Sequence, residues 1–255
     1  MPPTETALCW EVLCEPAGRS GAENMALDAS LLVAADRTGR AFLRLYRFAP
    51  PCLSLGRNEP AARYDRAVIE RMGLDVVRRP TGGRAVWHEH EVTYAVAAPI
   101  AAFGGLREAY RAIHARLAAA VRALGAEPTL APDRVTPRRL DPIASCFASP
   151  AGGEVLVDGR KLIGSAQVRR RSAFLQHGSI LLAGSQDVVR IVSHVPTEVG
   201  SETTLETILG RPVRFGDVVE AIRRTWREDL TSTDFPQPPP SSTTCFSTPA
   251  WTWRR

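Results

Sequence analysis

The chain has 255 residues, of which 44% are hydrophobic and 23% charged, and its formal net charge is +5. This suits a globular chain of one large domain or two small ones, and the mild basic surplus either suggests an acidic partner, without establishing nucleic-acid binding, or is plain solvated surface. It lacks the ~18–20 consecutive apolar residues that span a bilayer and a basic, apolar leader at Met1–Leu8; five scattered cysteines with no C-x-x-C pair argue against a disulfide framework and for a reducing, cytoplasmic setting.

Residues 9–15 alternate as a strand does. Glu23 to Ala35 puts Met25, Leu27, Leu31, Leu32 and Ala35 at helical spacing. Ala41–Phe48 and Cys52–Leu55 predict strands separated by the Pro50-Pro51 break. A short helix over Tyr64–Met72 stops at Gly73. A strand over Leu74–Arg78, a turn at Pro80-Thr81-Gly82-Gly83, and strands over Arg84–His88 and Val92–Ala98 follow. The longest helical pattern is Leu106–Leu124, ended by Gly125. Residues 131–152 are Pro-rich and irregular, and Cys146 lies among them. Glu154–Val157, Asp158-Gly159 and the stretch from Lys161 predict a hairpin, because Asp-Gly favours the type I′ turn. Phe174–Leu182 predicts a strand, and Asp187–Val192, Leu205–Leu209 and Phe215–Leu230 predict helices. From Thr231 the chain is rich in Pro, Ser and Thr and short of core-forming residues. The expected organisation is one domain over 1–230 and a disordered tail over 231–255. Strands and helices mix without regular βαβ alternation, so the class is α+β, with mixed sheets packed against helices.

Of the 32 basic side chains, 31 are arginine and one is lysine, Lys161. A surface lysine tolerates replacement by arginine. A lysine that must give up its proton does not, because guanidinium stays charged. The surviving lysine is therefore a candidate for chemistry, against the alternative that a strongly biased chain keeps one lysine anywhere.

Four short strings hold the other candidates. Arg78 to His88 (R-R-P-T-G-G-R-A-V-W-H) puts Gly82-Gly83 between arginines, including Arg79, and reads either as a plain turn or as a loop that lets a ligand approach the backbone. Cys146 opens C-F-A-S-P in a loop, where a thiol reaches a substrate, although a lone cysteine is often an inert core residue. In D-G-R-K-L-I-G-S-A-Q, alternation places Lys161, Ile163, Ser165 and Gln167 on one strand face, polar at three of four positions and better suited to a cleft or solvent than to a core. In Q-H-G-S-I-L-L, Gly178 suggests close packing or close ligand approach, and His177 is a structural or a cleft histidine. His88, His90, His177 and Cys146 lack the paired spacing of zinc motifs, so no metal is expected.

Taken in order, N-M-A-L-D (24–28), L-S-L-G-R-N (53–58), R-R-P-T-G-G-R-A-V-W-H (78–88), D-G-R-K-L-I-G-S-A-Q (158–167) and L-Q-H-G-S-I-L-L (175–182) resemble the lipoate–protein ligase A / octanoyltransferase / biotin ligase family, over residues ~9 to ~230. Within it the chain is most similar to the LipM-type octanoyltransferases, through G-G-R-A where ATP-dependent ligases usually show G-G-G, and through C-F-A-S-P ahead of D-G-R-K. The resemblance implies a biotin/lipoate ligase-like catalytic domain that moves octanoyl from acyl carrier protein to a lysine of a lipoyl domain or of a glycine cleavage H protein. It implies Cys146 as the acyl-thioester nucleophile and Lys161 as its activator. It implies Arg79, Gly82, Gly83, His88, Ser165, Gln167, His177 and Gly178 as substrate-binding positions. No cofactor is expected; ATP and Mg would enter only if the chain were an ATP-dependent ligase. An amidotransferase between lipoyl domains is the nearest alternative.

Overall fold

The computed structural model describes residues 8–132, 152–194, 202–226, 230–233 and 240–254. In chain order these form β1 (Trp10–Arg19), α1 (Gly21–Thr38), β2 (Ala41–Phe48), β3 (Cys52–Leu55), α2 (Arg66–Arg71), β4 (Asp75–Arg78), β5 (Val86–His88), β6 (Glu91–Pro99), α3 (Leu106–Ala123), β7 (Thr129–Leu130), β8 (Val155–Val157), β9 (Arg160–Arg170), β10 (Ala173–Leu181), α4 (Asp187–Ile191), α5 (Leu205–Leu209), α6 (Phe215–Thr225), β11 (Leu230–Ser232), α7 (Pro240–Ser247) and α8 (Pro249–Thr252). Local chemistry explains several boundaries. Ser20 and Glu23 close a capping box on α1, and Gly39 ends it at φ 71. Asp158 (φ 50) and Gly159 (φ 73) make the left-handed turn between β8 and β9.

Eight strands form one mixed sheet in the order β11-β1-β2-β6-β10-β9-β8-β7, and three form a second in the order β4-β3-β5. Alternation sorts the large sheet's side chains. Leu43, Leu45, Val92, Val96 and Phe174 face α3 and α6. Phe42, Tyr46, Ala95, Ala97 and Leu175 face α1. Both faces are covered, so the central strands are apolar at successive positions instead of alternating with polar ones. The small sheet packs its outer side on α2 and α4 through Leu53, Leu55, Ile69, Trp87 and Val189. The α+β class is as expected, with helices on both faces of a mixed sheet.

The face beneath α1 carries one large polar exception. Arg44 of β2 is fully buried. It donates from Nη1 to Asp28 Oδ1 (2.8 Å), from Nη2 to Asn24 Oδ1 (2.7 Å) and from Nε to Glu15 Oε2 (2.6 Å). Asn24 and Asp28 lie four apart on α1, so both reach the same guanidinium. Asn24 Nδ2 also donates to the carbonyls of Arg19 and Arg47. The network fixes α1 against β1 and β2.

Two expectations are corrected at the C-terminal end. Leu230 does not continue the helix of α6; it begins β11, parallel to β1, with Leu230 opposite Trp10. Within the stretch from Thr231, whose composition predicted a disordered tail, residues 240–254 form α7 and α8 and pack onto the rest of the chain. Phe246 of α7 joins the apolar cluster beneath α1, and Trp251 and Trp253 pack at its edge and against the small sheet. Trp251 Nε1 donates to Arg78 O (2.7 Å), and Arg78 Nε donates to Thr252 O (3.0 Å). The Ser/Thr/Pro stretch supplies no core of its own, but the aromatic residues beyond it find one already built.

Replacing Arg44 by Met leaves Asp28 buried without its cation. The expected loss is about 3–5 kcal/mol, read as a lower urea midpoint at unchanged m-value.

Candidate active site

A cleft opens between the two sheets. It is lined by Met25, Tyr46, Phe48 and Val86 on its apolar part and by Ser54, Arg79, His88, Thr93, Ser165, His177, Gly178 and Ser179 on its polar part, and it holds about 370 Å³ including its open mouth. Five of the predicted binding residues, Arg79, His88, Ser165, His177 and Gly178, thus come to one place. They arrive from four strands or loops far apart in sequence.

Each polar group on this floor is oriented by another. His177 Nδ1 faces Asp28 Oδ2 at 2.8 Å, and its Nε2 faces Thr81 Oγ1 at 2.6 Å. A carboxylate only accepts, so Nδ1 carries the hydrogen and the Thr81 hydroxyl donates to Nε2. Burial pushes the His177 ring below its usual range and outweighs the Asp28 hydrogen bond. Asp28 is held ionised although burial opposes it, because His177, Arg44 and Tyr46 all favour its charge. His88 is arranged similarly. Its Nδ1 meets Glu91 Oε1 at 2.7 Å, its Nε2 meets Ser54 Oγ at 2.7 Å, and Phe48 stacks on the ring at 4.1 Å. Arg79 donates from Nη1 to Ser54 Oγ (3.0 Å) and from Nε to Gly82 O (3.1 Å), tying the Gly82-Gly83 turn to the cleft wall.

The glycines have distinct causes. Gly83 has φ 86, which favours glycine. A Cβ on Gly56 would overlap the Gly83 carbonyl, so Gly56 of the L-S-L-G-R-N string lets the two loops touch. A Cβ on Gly178 would collide with Gly164 O and Ser165 Oγ. Gly178 is paired to both Tyr94 and Ser165 in antiparallel ladders, so the sheet takes up its amide. Of the two readings of Gly178, close packing is the one its neighbours explain.

Lys161 and Gln167 do not line the cleft. Of the face of Lys161, Ile163, Ser165 and Gln167, whose polarity suggested a cleft or solvent, Ser165 reaches the cleft, whereas Lys161 is 2% exposed and Ile163 is fully buried on the α3 side. Lys161 Nζ pairs with Glu154 Oε1 at 2.7 Å, both side chains buried. Gln167 Nε2 donates to Gln176 Oε1 (2.8 Å) and to Leu106 O (3.2 Å). Polar residues occupy this interior because they satisfy one another. Cys146 lies outside the described residues. Among the described residues no group of three or more His, Cys, Asp or Glu side chains is placed to hold a metal, and no helix is long and apolar enough to cross a membrane.

Sequence reasoning did not single out Asp28, Thr81, Ser54, Glu154 or His114. The first three fall inside strings quoted for the resemblance, where Asp28 is a charge four residues after Asn24 on a mostly apolar helix. His114 is embedded in the apolar pattern of α3, and nothing local marks it.

His177 and His114 are both neutral in the folded chain, His114 being pushed by burial to about 3. The unfolded chain protonates each near its ordinary value of about 6.5. Stability from these groups is therefore complete above that value and is lost as pH falls toward the folded pKa, and ionised Asp28 adds to the loss at lower pH. Urea unfolding between pH 7.5 and pH 4.5 is expected to show falling stability, with a shallower slope in His114→Asn.

The lipoyl protein ligase A/B catalytic domain model matches residues 20–227. The chain is 38% identical over 220 residues to the octanoyltransferase LipM of Moorella thermoacetica, covering 80% of each chain. It is 38% identical over 240 residues to that of Kyrpidia tusciae, covering 87% of each. In fold it is similar to protein Ta0514 of T. acidophilum, assigned as a lipoate protein ligase and solved with bound lipoic acid (TM-score 0.77, 18% identity, 96% of this chain and 100% of that one). It is also similar to a lipoate-protein ligase A bound with ATP (TM-score 0.76, 18% identity, 97% and 98%). At 18% identity these structures speak for the fold, and the nearer sequences speak for descent. The chain belongs to the lipoyl protein ligase A/B catalytic domain family.

Proposed function

We propose that this chain is a protein octanoyltransferase that takes octanoyl from acyl carrier protein onto Cys146 and passes it to a lysine of a lipoyl-accepting protein, a lipoyl domain or a glycine cleavage H protein. The observation that carries the reading is the shared identity of its relatives as LipM octanoyltransferases, at 38% over most of both chains. A second observation agrees with it: the one lysine of the chain is buried and ion-paired with Glu154.

The chemistry runs in two acyl transfers. The Cys146 thiolate attacks the thioester carbonyl, the new thioester forms, and the carrier's thiolate leaves. An ammonium favours the thiolate before attack, and Lys161 supplies that charge. Lys161 then gives a proton to the departing sulfur. Neutral Lys161 takes a proton from the incoming amine as it attacks, an amide forms, and the Cys146 thiolate is regenerated. Guanidinium does not lose its proton at neutral pH and cannot perform this cycle. The amides of Gly82 and Gly83 are the candidates for the oxyanion, since the sheet takes up that of Gly178. Ser54, His88, Thr81 and His177 hold the cleft wall rigid around the acyl chain, while Met25, Tyr46, Phe48 and Val86 contact its apolar part. The basic surplus of +5 suits an acidic carrier and acceptor. The thioester is already activated, so the transfer needs neither ATP nor Mg. The setting is a reducing one, cytoplasmic, in which Cys146 stays a thiol.

Incubation with octanoyl-acyl carrier protein is expected to add one octanoyl group to the intact mass. Cys146→Ser is expected to abolish the gain, and Lys161→Arg to slow it about 100-fold or more, the scale of a lost general acid–base. An unmodified wild-type protein, or full turnover by Cys146→Ser, would sink the scheme. Transfer to the acceptor is expected to proceed at an unchanged rate without ATP and with EDTA present. A requirement for ATP and free lipoate or octanoate would identify a ligase instead, and a preference for an octanoylated lipoyl domain as donor would identify an amidotransferase.

A further inference from the structure

On the side of the large sheet opposite the cleft, a chain of hydrogen bonds runs beneath α3 with a single polarity. Gln167 Nε2 donates to Gln176 Oε1 (2.8 Å), and Gln176 Nε2 donates to Tyr94 Oη (2.8 Å). Tyr94 Oη lies 2.6 Å from Ser165 Oγ, Ser165 Oγ lies 2.8 Å from His114 Nε2, and His114 Nδ1 lies 2.8 Å from Gly153 O. A carbonyl only accepts, so Nδ1 carries the hydrogen, and in the neutral ring Nε2 accepts from Ser165. Ser165 then accepts from Tyr94, which accepts from Gln176. Every member has one orientation available.

The chain ends on the carbonyl next to Glu154. Tyr110, four residues before His114 on α3, reaches Glu154 Oε1 at 3.3 Å from the same helix face. Glu154 holds the Lys161 ammonium at 2.7 Å. His114 and Tyr110 therefore grip the two consecutive residues that set the position of the only lysine. Nothing in the two-step scheme requires a histidine here, and a buried histidine with a neutral ring is costly unless both nitrogens are used, as they are.

We propose that His114, assisted by Tyr110, is a positioning residue of the transfer reaction, fixing the Gly153 carbonyl and through it Glu154 and Lys161. The functional importance of Lys161 rests on the reading given above; its placement by His114 does not. Among the described residues, the groups around Lys161 include Glu154 just ahead of β8, His114 from α3, Arg160 beside it on β9, and Glu202, whose backbone bridges Lys161 and whose side chain takes the amide of Gln186. The neutral His114 ring adds no charge to this set, so it acts by geometry. Because an amide can donate to Gly153 and accept from Ser165, asparagine is the nearest substitute. Leucine matches the volume and makes neither bond, leaving both groups unpaired.

Lysine labelled with ¹³C at Cε gives one side-chain signal in the full chain, since Lys161 is the only lysine. In His114→Leu the Lys161 ¹³Cε signal is expected to shift, because Glu154 no longer sits against the ammonium. Octanoylation of Cys146 at saturating donor is expected to slow about tenfold, the size of one unpaired buried group, with KM for the donor unchanged. His114→Asn is expected to restore both readouts. A wild-type lysine signal and rate in His114→Leu would overturn the proposal, as would a loss that merely tracks the unfolded fraction and is not rescued by asparagine. Should His114→Leu not fold, Tyr110→Phe deletes a single hydroxyl and is expected to move the lysine signal the same way and to slow octanoylation about threefold; unchanged readouts there also overturn it. Failure of the Cys146–Lys161 scheme is distinguishable: Lys161→Arg would then turn over normally while the lysine signal still responds to His114.

Discussion

Asp28 has no exposure, and three side chains from two strands converge on it. Arg44 from β2 meets one carboxylate oxygen, and Tyr46 from β2 and His177 from β10 meet the other. A buried carboxylate is tolerable only when its lone pairs are taken and its charge is matched. That requirement specifies where α1 lies on the sheet, which tautomer His177 adopts, and which hydroxyl, that of Thr81, the ring accepts from. Thr81 belongs to the turn that also contains Gly82 and Gly83. One buried charge therefore connects the packing of the first helix to the shape of the loop at the cleft.

The two faces of β9 and β10 do different work because side chains alternate across a strand. His177 and Ser179 point to the cleft, and Gln176 points the other way, into the hydrogen-bond chain under α3. Gly178 lies on the α3 face too, where the absence of a side chain leaves room for Ser165. Ser165 is shared: it borders the cleft and its hydroxyl joins the chain ending on Gly153. The cleft and the Lys161–Glu154 pair are thus separated by little more than the thickness of a sheet.

The C-terminal segment shows how a polar composition can mislead. Phe246, Trp251 and Trp253 add apolar area to a surface formed by α1 and the small sheet. Arg78 completes the attachment, since its guanidinium donates to Thr252 O and Arg254 O as well as to Gly56 O and Glu59 O. A single fully buried arginine thereby joins the chain end to the loop beside Gly83.

What the sequence determined by itself was local or compositional. Helical spacing placed α1 and α3, the Pro50-Pro51 break separated β2 from β3, and Asp-Gly placed the β8–β9 hairpin, because each depends on neighbours a few residues away. Five ordered strings identified the family, and a lysine count of one singled out Lys161. What only the tertiary structure decided was which polar residues meet. Asp28 and His177 are 149 positions apart, His114 and Gly153 are 39 apart, and Arg78 and Thr252 are 174 apart. No periodicity encodes such pairs. They form because a buried polar group must find a partner, and folding determines which one is within reach.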